Sequence, residues 1–332
     1  MAKADRKRTI KFWKYYQQWI ETYKYGIVRE VTYAKYENVL RHLKELAPDL
    51  QLSEVARTDV QRLINQFGHT HEYQTTRDFL IHIQPAFRDA VYEGWLKKDP
   101  CYKIQIPSMV HHKKKPKYLE IEDVRKLERA FKDDESGYGD FFDCLLRTGL
   151  RFAEALGITP ADVDQRNMTL DINKSFNYKQ SNKTGVRLDE FMPTKNKFSV
   201  RKVPIDFQCL ADLKKHMEEV PNNESIWVHW FVNSGMLRMG RTANGRPRAI
   251  ANSTFNHALA RICDAAEVPE ITVHGLRHIH GSILITNGVS IQSVAKRLGH
   301  ADTTTTQRVY IHLLKDLENR DTNRIMSVMT GL

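Results

Sequence analysis

Six residues of this chain have side chains that can act together on a phosphodiester. Arginines bind a phosphate bidentately, histidines donate or accept protons, and a tyrosine can attack phosphorus as a nucleophile. Four of the six fall within 37 residues, from His274 to Tyr310. The full set comprises Arg151, Lys195, His274, Arg277, His300 and Tyr310. Because negative charge grows on the phosphate oxygens during attack, this set of residue types suits phosphodiester chemistry.

The first motif places Arg151 just after the glycine turn Leu146-Arg-Thr-Gly-Leu. A side chain near a helix start lies beside free backbone N–H groups, where an anion is favoured. Glu154 follows three residues later and can brace the arginine. Taken alone, Arg151 would be better explained as part of a surface ion pair.

The second motif is Thr272-Val-His274-Gly-Leu-Arg277-His278. His274 and Arg277 stand three residues apart at a predicted helix start, so their side chains face the same way. Spacing of this kind is weak evidence by itself. His278 and the nearby His280 are predicted to have packing or local hydrogen-bonding roles.

The third motif ends a predicted helix at Leu298-Gly299 and presents His300 from the turn. The threonines 303–306 then lead into a helix that bears Tyr310. A lone tyrosine in an apolar context is ordinarily a core residue. The order and spacing of the three motifs together favour a chemical role instead.

The elements that must position these residues begin with four predicted helices in the first hundred residues. Aromatic and aliphatic side chains recur at helical spacing, and core packing explains this stripe better than stacking on bases. Thr32 and Thr58 are predicted to cap the second and third helices. Pro85 is predicted to kink or break the fourth.

A basic segment without periodicity follows, and it contains Lys113, Lys114 and Lys115. We interpret it as an extended linker along a duplex backbone, with a solvated surface loop as the alternative. The remaining chain mixes helical patterns with strand-like alternation at Met168, Leu170 and Ile172, and a small sheet with an extended hairpin is predicted over 173–199. The predicted fold class is therefore mainly α with a small β-sheet (α+β).

The chain has 332 residues and a net charge of +11, with 41% hydrophobic residues. This charge indicates a polyanionic partner, most often nucleic acid, although a merely basic protein would show the same value. No apolar run approaches the length of a membrane span and no signal peptide is evident, so a cytoplasmic protein is expected, nucleoid-associated when bound to DNA. The four scattered cysteines indicate neither a zinc site nor disulfides.

Over nearly its whole length, the chain resembles tyrosine recombinases of the phage-integrase class, similar to integrases of phages and conjugative elements of Gram-positive bacteria. Thr-Gly-Leu-Arg151, His274-Gly-Leu-Arg277-His, Leu-Gly-His300 and the following Tyr310 are jointly specific for that family. The resemblance implies a helical core-binding (SAM-like) domain over 1–102, a basic linker over 103–117 and a catalytic domain over 118–332, which form a C-shaped DNA clamp. The first core-binding helix starts near Thr9, so no extra N-terminal domain for arm sites is expected.

The resemblance also implies a role for each residue. Arg151 and Arg277 would hold the scissile phosphate, His274 would act as general base and His300 would help hold the phosphate. Tyr310 would be the nucleophile. Lys195, on a predicted β-hairpin turn, would protonate the leaving 5′-oxygen, and Lys197 is the alternative.

The implied reaction forms a 3′-phosphotyrosine link, passes through a Holliday junction and needs neither metal nor cofactor. The implied partners are attachment-site DNA, three further protomers in a tetramer on two duplexes, and possible host bending and excision factors, while the free protein would be a monomer. Two other functions stay open: a topoisomerase that reseals the same strand, and a DNA-binding regulator without catalysis. The topoisomerase would need no tetramer, and the regulator would form no covalent complex.

Overall fold

The computed structural model describes residues 10–107, 109–110, 116, 118–179, 185–194, 197–245, 248–310 and 329–330. The chain forms two compact units, residues 1–114 and 115–332. The domain boundaries expected from the sequence, at 102 and 118, remain predictions. Across the described residues, no helix combines the length and the apolar character needed to cross a membrane.

The N-terminal unit contains four helices, and each places an apolar face in one core. They are α1 (Phe12–Tyr23), α2 (Glu30–Leu46), α3 (Arg57–Gly68) and α4 (Tyr73–Tyr92). The predicted aromatic stripe of α1 is confirmed as core, because Phe12, Tyr16 and Trp19 are buried. Phe12 stacks on Phe87 of α4 with ring centroids 4.1 Å apart.

Two cap predictions for this unit are wrong, and of the kink or break predicted at Pro85 the break does not occur. Helices α2 and α3 begin at Glu30 and Arg57, so Thr32 and Thr58 lie inside them and cap neither. At α3 the Asp59 carboxylate accepts the Ala56 N–H at 2.9 Å and satisfies a free helix-start donor instead. Helix α4 continues through Pro85 without a break.

The C-terminal unit is mainly helical and carries two small antiparallel sheets, as the predicted α+β class requires. Its described helices are α5 (Ile121–Lys132), α6 (Gly139–Thr148), α7 (Phe152–Ala155), α8 (Phe207–Met217), α9 (Ile226–Asn233), α10 (Asn252–Ala265), α11 (Val273–Thr286), α12 (Ile291–Leu298) and α13, which is described over 303–310. Helix α11 packs against α6 through the middle of this unit.

The strands are β1 (Val163–Asp164), β2 (Thr169–Ile172), β3 (Lys174–Phe176), β4 (Phe191–Pro193) and β5 (Arg201–Pro204). One sheet has the order β1-β2-β5, and the other pairs β3 with β4. Leu170 and Ile172 of β2 are buried, as their alternation predicts. Strands β4 and β5 thus pair with different partners, and the segment between them joins two sheets.

Candidate active site

Helix α11 begins where the second motif predicts. Thr272 is its N-cap, and the Thr272 hydroxyl oxygen accepts the Gly275 N–H at 3.0 Å. This cap fixes the first turn and places His274 and Arg277 on it, three residues apart. The spacing in the sequence therefore places both residues on the first helical turn, where the Arg277 side chain is buried and His274 is exposed.

Arg277 is buried, with 3% of its surface exposed. Its Nη1 donates to the Gly149 carbonyl at 2.6 Å, and its Nη2 donates to the Leu298 carbonyl at 2.6 Å and to His300 Nε2 at 3.0 Å. No carboxylate of the described residues forms an ion pair with it. Burial, and then the nearby Arg151, lower the pKa of Arg277 to about 9. A buried cation without a direct counter-charge favours an anionic ligand.

Arg151 is held from three sides but keeps 25% of its side chain exposed. Its Nη1 donates to Glu154 Oε1 at 2.5 Å and to Ser199 Oγ at 3.1 Å, and its Nη2 donates to the Gly299 carbonyl at 3.0 Å. The predicted bracing by Glu154 is confirmed. Burial alone would raise the pKa of Glu154, but Arg201 and Arg151 outweigh it and lower that pKa.

The C-terminal end of α12 holds three arginines at once. Successive carbonyls accept from different side chains: Arg297 O from Arg201 Nε at 2.6 Å, Leu298 O from Arg277 Nη2 at 2.6 Å and Gly299 O from Arg151 Nη2 at 3.0 Å. The last carbonyls of a helix lack intrahelical partners and carry the negative end of its dipole, so they suit cations. Gly299 has a φ of +67°, and a Cβ there would lie 2.9 Å from Arg201 Nη1.

His300 links this arginine cluster to the helix that follows. Its Nε2 accepts from Arg277, so Nδ1 carries the proton and donates to Thr306 Oγ1 at 2.8 Å. Burial, followed by Arg277 and Arg151, lowers the pKa of His300 to about 4. The imidazole is therefore neutral at pH 7, Arg277 fixes its tautomer, and Thr306, which the sequence did not single out, accepts the Nδ1 proton.

His274 lies in the same first turn of α11 and is exposed. Its ring meets the His278 ring edge-on, with centroids 4.8 Å apart. Desolvation by the surrounding protein atoms, followed by the positive charges of Arg277 and Arg151, lowers the pKa of His274. His274 is thus a neutral group that is free to accept a proton.

Tyr310 lies on α13 with 2% of its surface exposed, against the apolar residues Ile285, Val294 and Leu298. Its hydroxyl rests on the backbone of α11, because a Cβ on Gly281 would lie only 2.1 Å from the Tyr310 oxygen. Burial raises the pKa of Tyr310 to about 12, although Arg277 acts to lower it. The phenol is therefore protonated at neutral pH.

The remaining predicted site residues, Lys195 and the linker lysines Lys113, Lys114 and Lys115, lie outside the described residues. The elements on either side of Lys195 are described. Strand β4 ends two residues before it and pairs with β3, whereas β5 begins six residues after it and pairs with β2. The predicted hairpin turn at Lys195 itself lies outside the described residues and stays a prediction. Lys197, the alternative, starts a short 3₁₀ helix over Lys197–Ser199.

The structure brings Arg151, Arg277 and His300 together and adds two members that the sequence analysis missed. One is Thr306. The other is Arg201, to which the sequence analysis gives no role. His280 has the predicted local role, since its Nδ1 donates to the Leu146 carbonyl at 2.8 Å. Among the described residues, no cluster of histidine, cysteine or acidic side chains is arranged to hold a metal ion.

Comparisons with known proteins identify the family. Residues 117–316 match the Phage integrase family, and residues 10–105 match the Phage integrase SAM-like domain. A XerC-like tyrosine recombinase of Caldanaerobacter subterraneus is 25% identical over 89% of this chain and 78% of its own length.

Two solved structures share the fold. The Tn1549 transposon integrase in complex with a circular intermediate DNA has a TM-score of 0.72 at 18% identity, covering 94% of this chain and 98% of that one. A lambda integrase tetramer bound to a Holliday junction has a TM-score of 0.61 at 15% identity, covering 91% and 81%. The family match spans more than half of the chain and includes the three motifs and Tyr310. The chain therefore belongs to the phage integrase family and is a tyrosine site-specific recombinase.

Proposed function

We propose that this recombinase integrates and excises a mobile element, with Tyr310 as the nucleophile and Arg151 and Arg277 as the phosphate-binding pair. One observation carries the assignment of the arginines. Both guanidinium groups are fixed on neighbouring carbonyls, Leu298 O and Gly299 O, of a single helix end. Groups anchored so closely can bind one phosphate together.

The charge of the site supports the same assignment. The three arginines Arg151, Arg201 and Arg277 have one ionised carboxylate among them, Glu154, which pairs with the first two, so the cluster carries excess positive charge. A scissile phosphate would supply the missing negative charge. Donors fixed before the reaction stabilise charge that develops in the transition state, and removing one such donor costs ~3 kcal/mol or more.

In the cleavage step the Tyr310 oxygen bonds to phosphorus, and the bond from phosphorus to the 5′-oxygen breaks. The products are a 3′-phosphotyrosine and a free 5′-hydroxyl. The phenol must lose its proton, and the neutral His274 suits the role of general base. Lys195 would protonate the leaving 5′-oxygen, and His300 would support the phosphate through Arg277. The bond energy is kept in the covalent link, so rejoining needs no further energy source.

Rejoining to a second duplex separates recombination from topoisomerase action. A 5′-hydroxyl of the partner duplex attacks the phosphotyrosine, and two rounds of exchange pass through a Holliday junction. The tetrameric lambda integrase complex on such a junction supports four protomers as the working assembly. We further propose a monomer in the absence of DNA, cytoplasmic or nucleoid-associated, with a host bending protein and an excision factor as accessory partners.

Covalent capture tests the function and does not require a defined attachment site. The full chain is incubated with a pool of nicked duplexes whose central sequence is randomised, and DNA that stays bound in detergent is sequenced. The nick lets the short 5′-hydroxyl strand leave, so the adduct accumulates. We expect the wild type to enrich one sequence family and Tyr310→Phe to capture none.

A matched control is Tyr138→Phe, which removes the hydroxyl of another buried tyrosine in the same unit. It should capture the same duplexes as the wild type. An adduct that survives in Tyr310→Phe would show that another residue attacks. Duplex binding by the wild type without any adduct would favour the non-catalytic regulator. Adducts that reseal only on the same strand would favour the topoisomerase.

The linker lysines enter the proposal as contacts to the DNA backbone. Replacing Lys113, Lys114 and Lys115 by glutamine should weaken binding to all duplexes similarly and reduce the salt slope of log K by about one per lost phosphate contact. Binding is measured by fluorescence anisotropy between low and moderate salt. An unchanged slope would show that this segment does not contact phosphates.

A further inference from the structure

Arg201 is an arginine that does not reach the solvent. It begins β5, and 6% of its side chain is exposed. Its guanidinium donates in three directions, from Nη2 to Glu154 Oε2 at 3.0 Å, from Nη1 to the Ser199 carbonyl at 2.8 Å, and from Nε to the Arg297 carbonyl at 2.6 Å. A side chain used in this way cannot also be a direct contact for a DNA backbone.

Two of the three partners of Arg201 are also partners of Arg151, and the third lies two residues from a partner of Arg151 at the same helix end. Glu154 presents one carboxylate oxygen to each arginine, and Ser199 presents its hydroxyl to Arg151 and its carbonyl to Arg201. At the end of α12, Arg201 donates to the Arg297 carbonyl, and Arg151 donates to the Gly299 carbonyl. The groups around Arg151 thus form one hydrogen-bonded network, and Arg201 lies on the buried side of that network.

We infer that Arg201 is a positioning residue that sets the direction of the Arg151 guanidinium. Without Arg201, the Glu154 carboxylate would keep hydrogen bonds from Arg151 alone, and the 3₁₀ turn that ends at Ser199 would lose the tie to α12 that Arg201 provides. The Arg151 guanidinium group would then lose its fixed orientation. Of the two arginines, only Arg151 has a side chain that is partly open to solvent. This inference rests on the proposed role of Arg151.

The position of Arg201 in the chain extends the inference to the general acid. Arg201 lies six residues after Lys195, and its contacts join β5 to the end of α12 across 96 residues. Gly299 permits this close approach, since a Cβ there would lie 2.9 Å from Arg201 Nη1 and 3.2 Å from the Phe198 carbonyl. One side chain thereby ties the segment that follows Lys195 to the arginine that would bind the phosphate.

If Arg201 had a purely structural role, it would neutralise the charge of Glu154 without orienting Arg151. The substitution Arg201→Lys separates this structural role from the positioning role. Lysine keeps a positive charge beside Glu154, so the unit should fold. An ammonium group cannot reproduce the planar fork that reaches Glu154, Ser199 and Arg297 together. A matched control is Arg147→Lys, because Arg147 is also largely buried and pairs with three carboxylates that do not contact Arg151: Asp143, Asp206 and Glu128.

The experiment measures single-turnover cleavage of a captured nicked duplex, duplex affinity and thermal stability for Arg201→Lys, Arg151→Ala and the double variant. A small misplacement of a binding group can cost about 10²-fold in rate, so we expect Arg201→Lys to cleave about 10- to 100-fold more slowly. Its affinity should stay within about threefold of wild type, and Arg147→Lys should cleave at a near-normal rate. In the Arg151→Ala background, Arg201→Lys should slow cleavage by less than about threefold, because the two act as one unit.

Two results would overturn the inference. Rate losses that multiply in the double variant would show that Arg201 acts independently of Arg151. A normal cleavage rate in Arg201→Lys would show that the planar guanidinium group of Arg201 is not needed to orient Arg151. Adduct formation by the wild type establishes the proposed function separately, so either result would remove only the role of Arg201.

Discussion

The N-terminal unit buries aromatic rings and leaves its charges at the surface, whereas the C-terminal unit buries charges as well. Among the described residues of the N-terminal unit, Thr76 is the buried polar side chain. The C-terminal unit buries Asp143, Glu154, Arg277 and His280 among others. Burying a charge costs free energy unless partners compensate it, so this arrangement is poorly explained by stability alone.

This difference in buried charge indicates that the chemical function lies in the C-terminal unit. Surface pairs of the N-terminal unit, such as Arg41 with Glu45, contribute about 0.3–0.5 kcal/mol each. The stability of that unit must come from its rings and aliphatic groups. In the C-terminal unit, the buried side chains of Arg201 and Arg277 donate to the end of α12, where they help to prepare a site for an anion. Four predictions test this division, beginning with the largest expected effect.

Removing a ring from the aromatic core should destabilise the N-terminal unit alone. Phe87→Ala deletes the partner of Phe12 in a fully buried position, and such truncations cost about 3–5 kcal/mol. Hydrogen exchange read by mass spectrometry on the full chain should show lost protection over 10–107 and little change over 118–310. Tyr92→Ala, on the same helix but 92% exposed, is the control and should change little. Equal loss of protection in both units would contradict the division.

Removing the buried arginine should damage chemistry more than binding. Arg277→Ala deletes a preorganised donor to the phosphate, and we expect cleavage to slow by about 10²- to 10³-fold or more. Duplex affinity, measured by anisotropy, should fall far less, because many backbone contacts share it. The control is Arg41→Ala, which removes an exposed arginine of the N-terminal unit. Equal losses of binding and cleavage in Arg277→Ala would reduce Arg277 to a binding contact.

Local signals in the sequence were enough to predict part of this site. The spacing of His274 and Arg277 became one helical turn because Thr272 caps α11 where the pattern indicates. Glu154 was within reach of Arg151 because three residues along a helix start bring side chains together. Gly299 ended α12 as predicted, with a left-handed φ that glycine adopts readily.

The rest of the site depends on contacts that carry no local signal. Backbone carbonyls bind the arginines, and any residue type can supply a carbonyl. Arg201 lies 47 residues from Glu154 and 96 from Arg297, so only the tertiary fold reveals its role. The wrong cap at Thr58 has a different, local cause, because the helix starts at Arg57 and the neighbouring Asp59 carboxylate accepts the Ala56 N–H.

Acid should weaken the C-terminal unit through His280. Burial, and then Arg297, lower its pKa to about 3, because Nε2 accepts from Arg297 Nε at 2.9 Å. Below pH 6.5 His280 binds a proton in the unfolded chain but not in the folded chain. The free energy of unfolding therefore falls as pH falls. Between pH 6.5 and 5 the loss is about 2 kcal/mol.

Urea unfolding followed by the fluorescence of the full chain, with exchange data to assign the unit, measures this slope. His280→Asn keeps a donor for the Leu146 carbonyl and removes the titrating group, so the slope should flatten. His82→Asn, on the N-terminal unit, is the control. A slope that stays the same in His280→Asn would assign the acid sensitivity to other groups, of which His300 is the first candidate.

The smallest effect concerns two buried carboxyl groups that share a proton. Burial raises the pKa of Asp212 to about 6, and its protonated form donates to Asp143, whose Oδ1 is otherwise unpaired among the described residues. The folded chain therefore holds a proton that the unfolded chain releases, so stability falls as pH rises from about 4 to 6. Above pH 6 the Asp212 carboxylate is ionised and its cost is complete.

Asp212→Asn should remove that cost while keeping both hydrogen bonds. The amide oxygen still accepts from Gln208 Nε2, which lies 2.8 Å from Asp212 Oδ1, and the amide nitrogen replaces the shared proton toward Asp143. We expect a gain of about 1 kcal/mol at pH 7.5 that shrinks below pH 5. Asp164→Asn is the control, because Asp164 lies near the surface and its pKa is lowered by hydrogen bonds from Asn167. A loss of stability at every pH would show that the buried charge at Asp212 is itself favourable, and that this unit tolerates buried carboxylates away from its phosphate site.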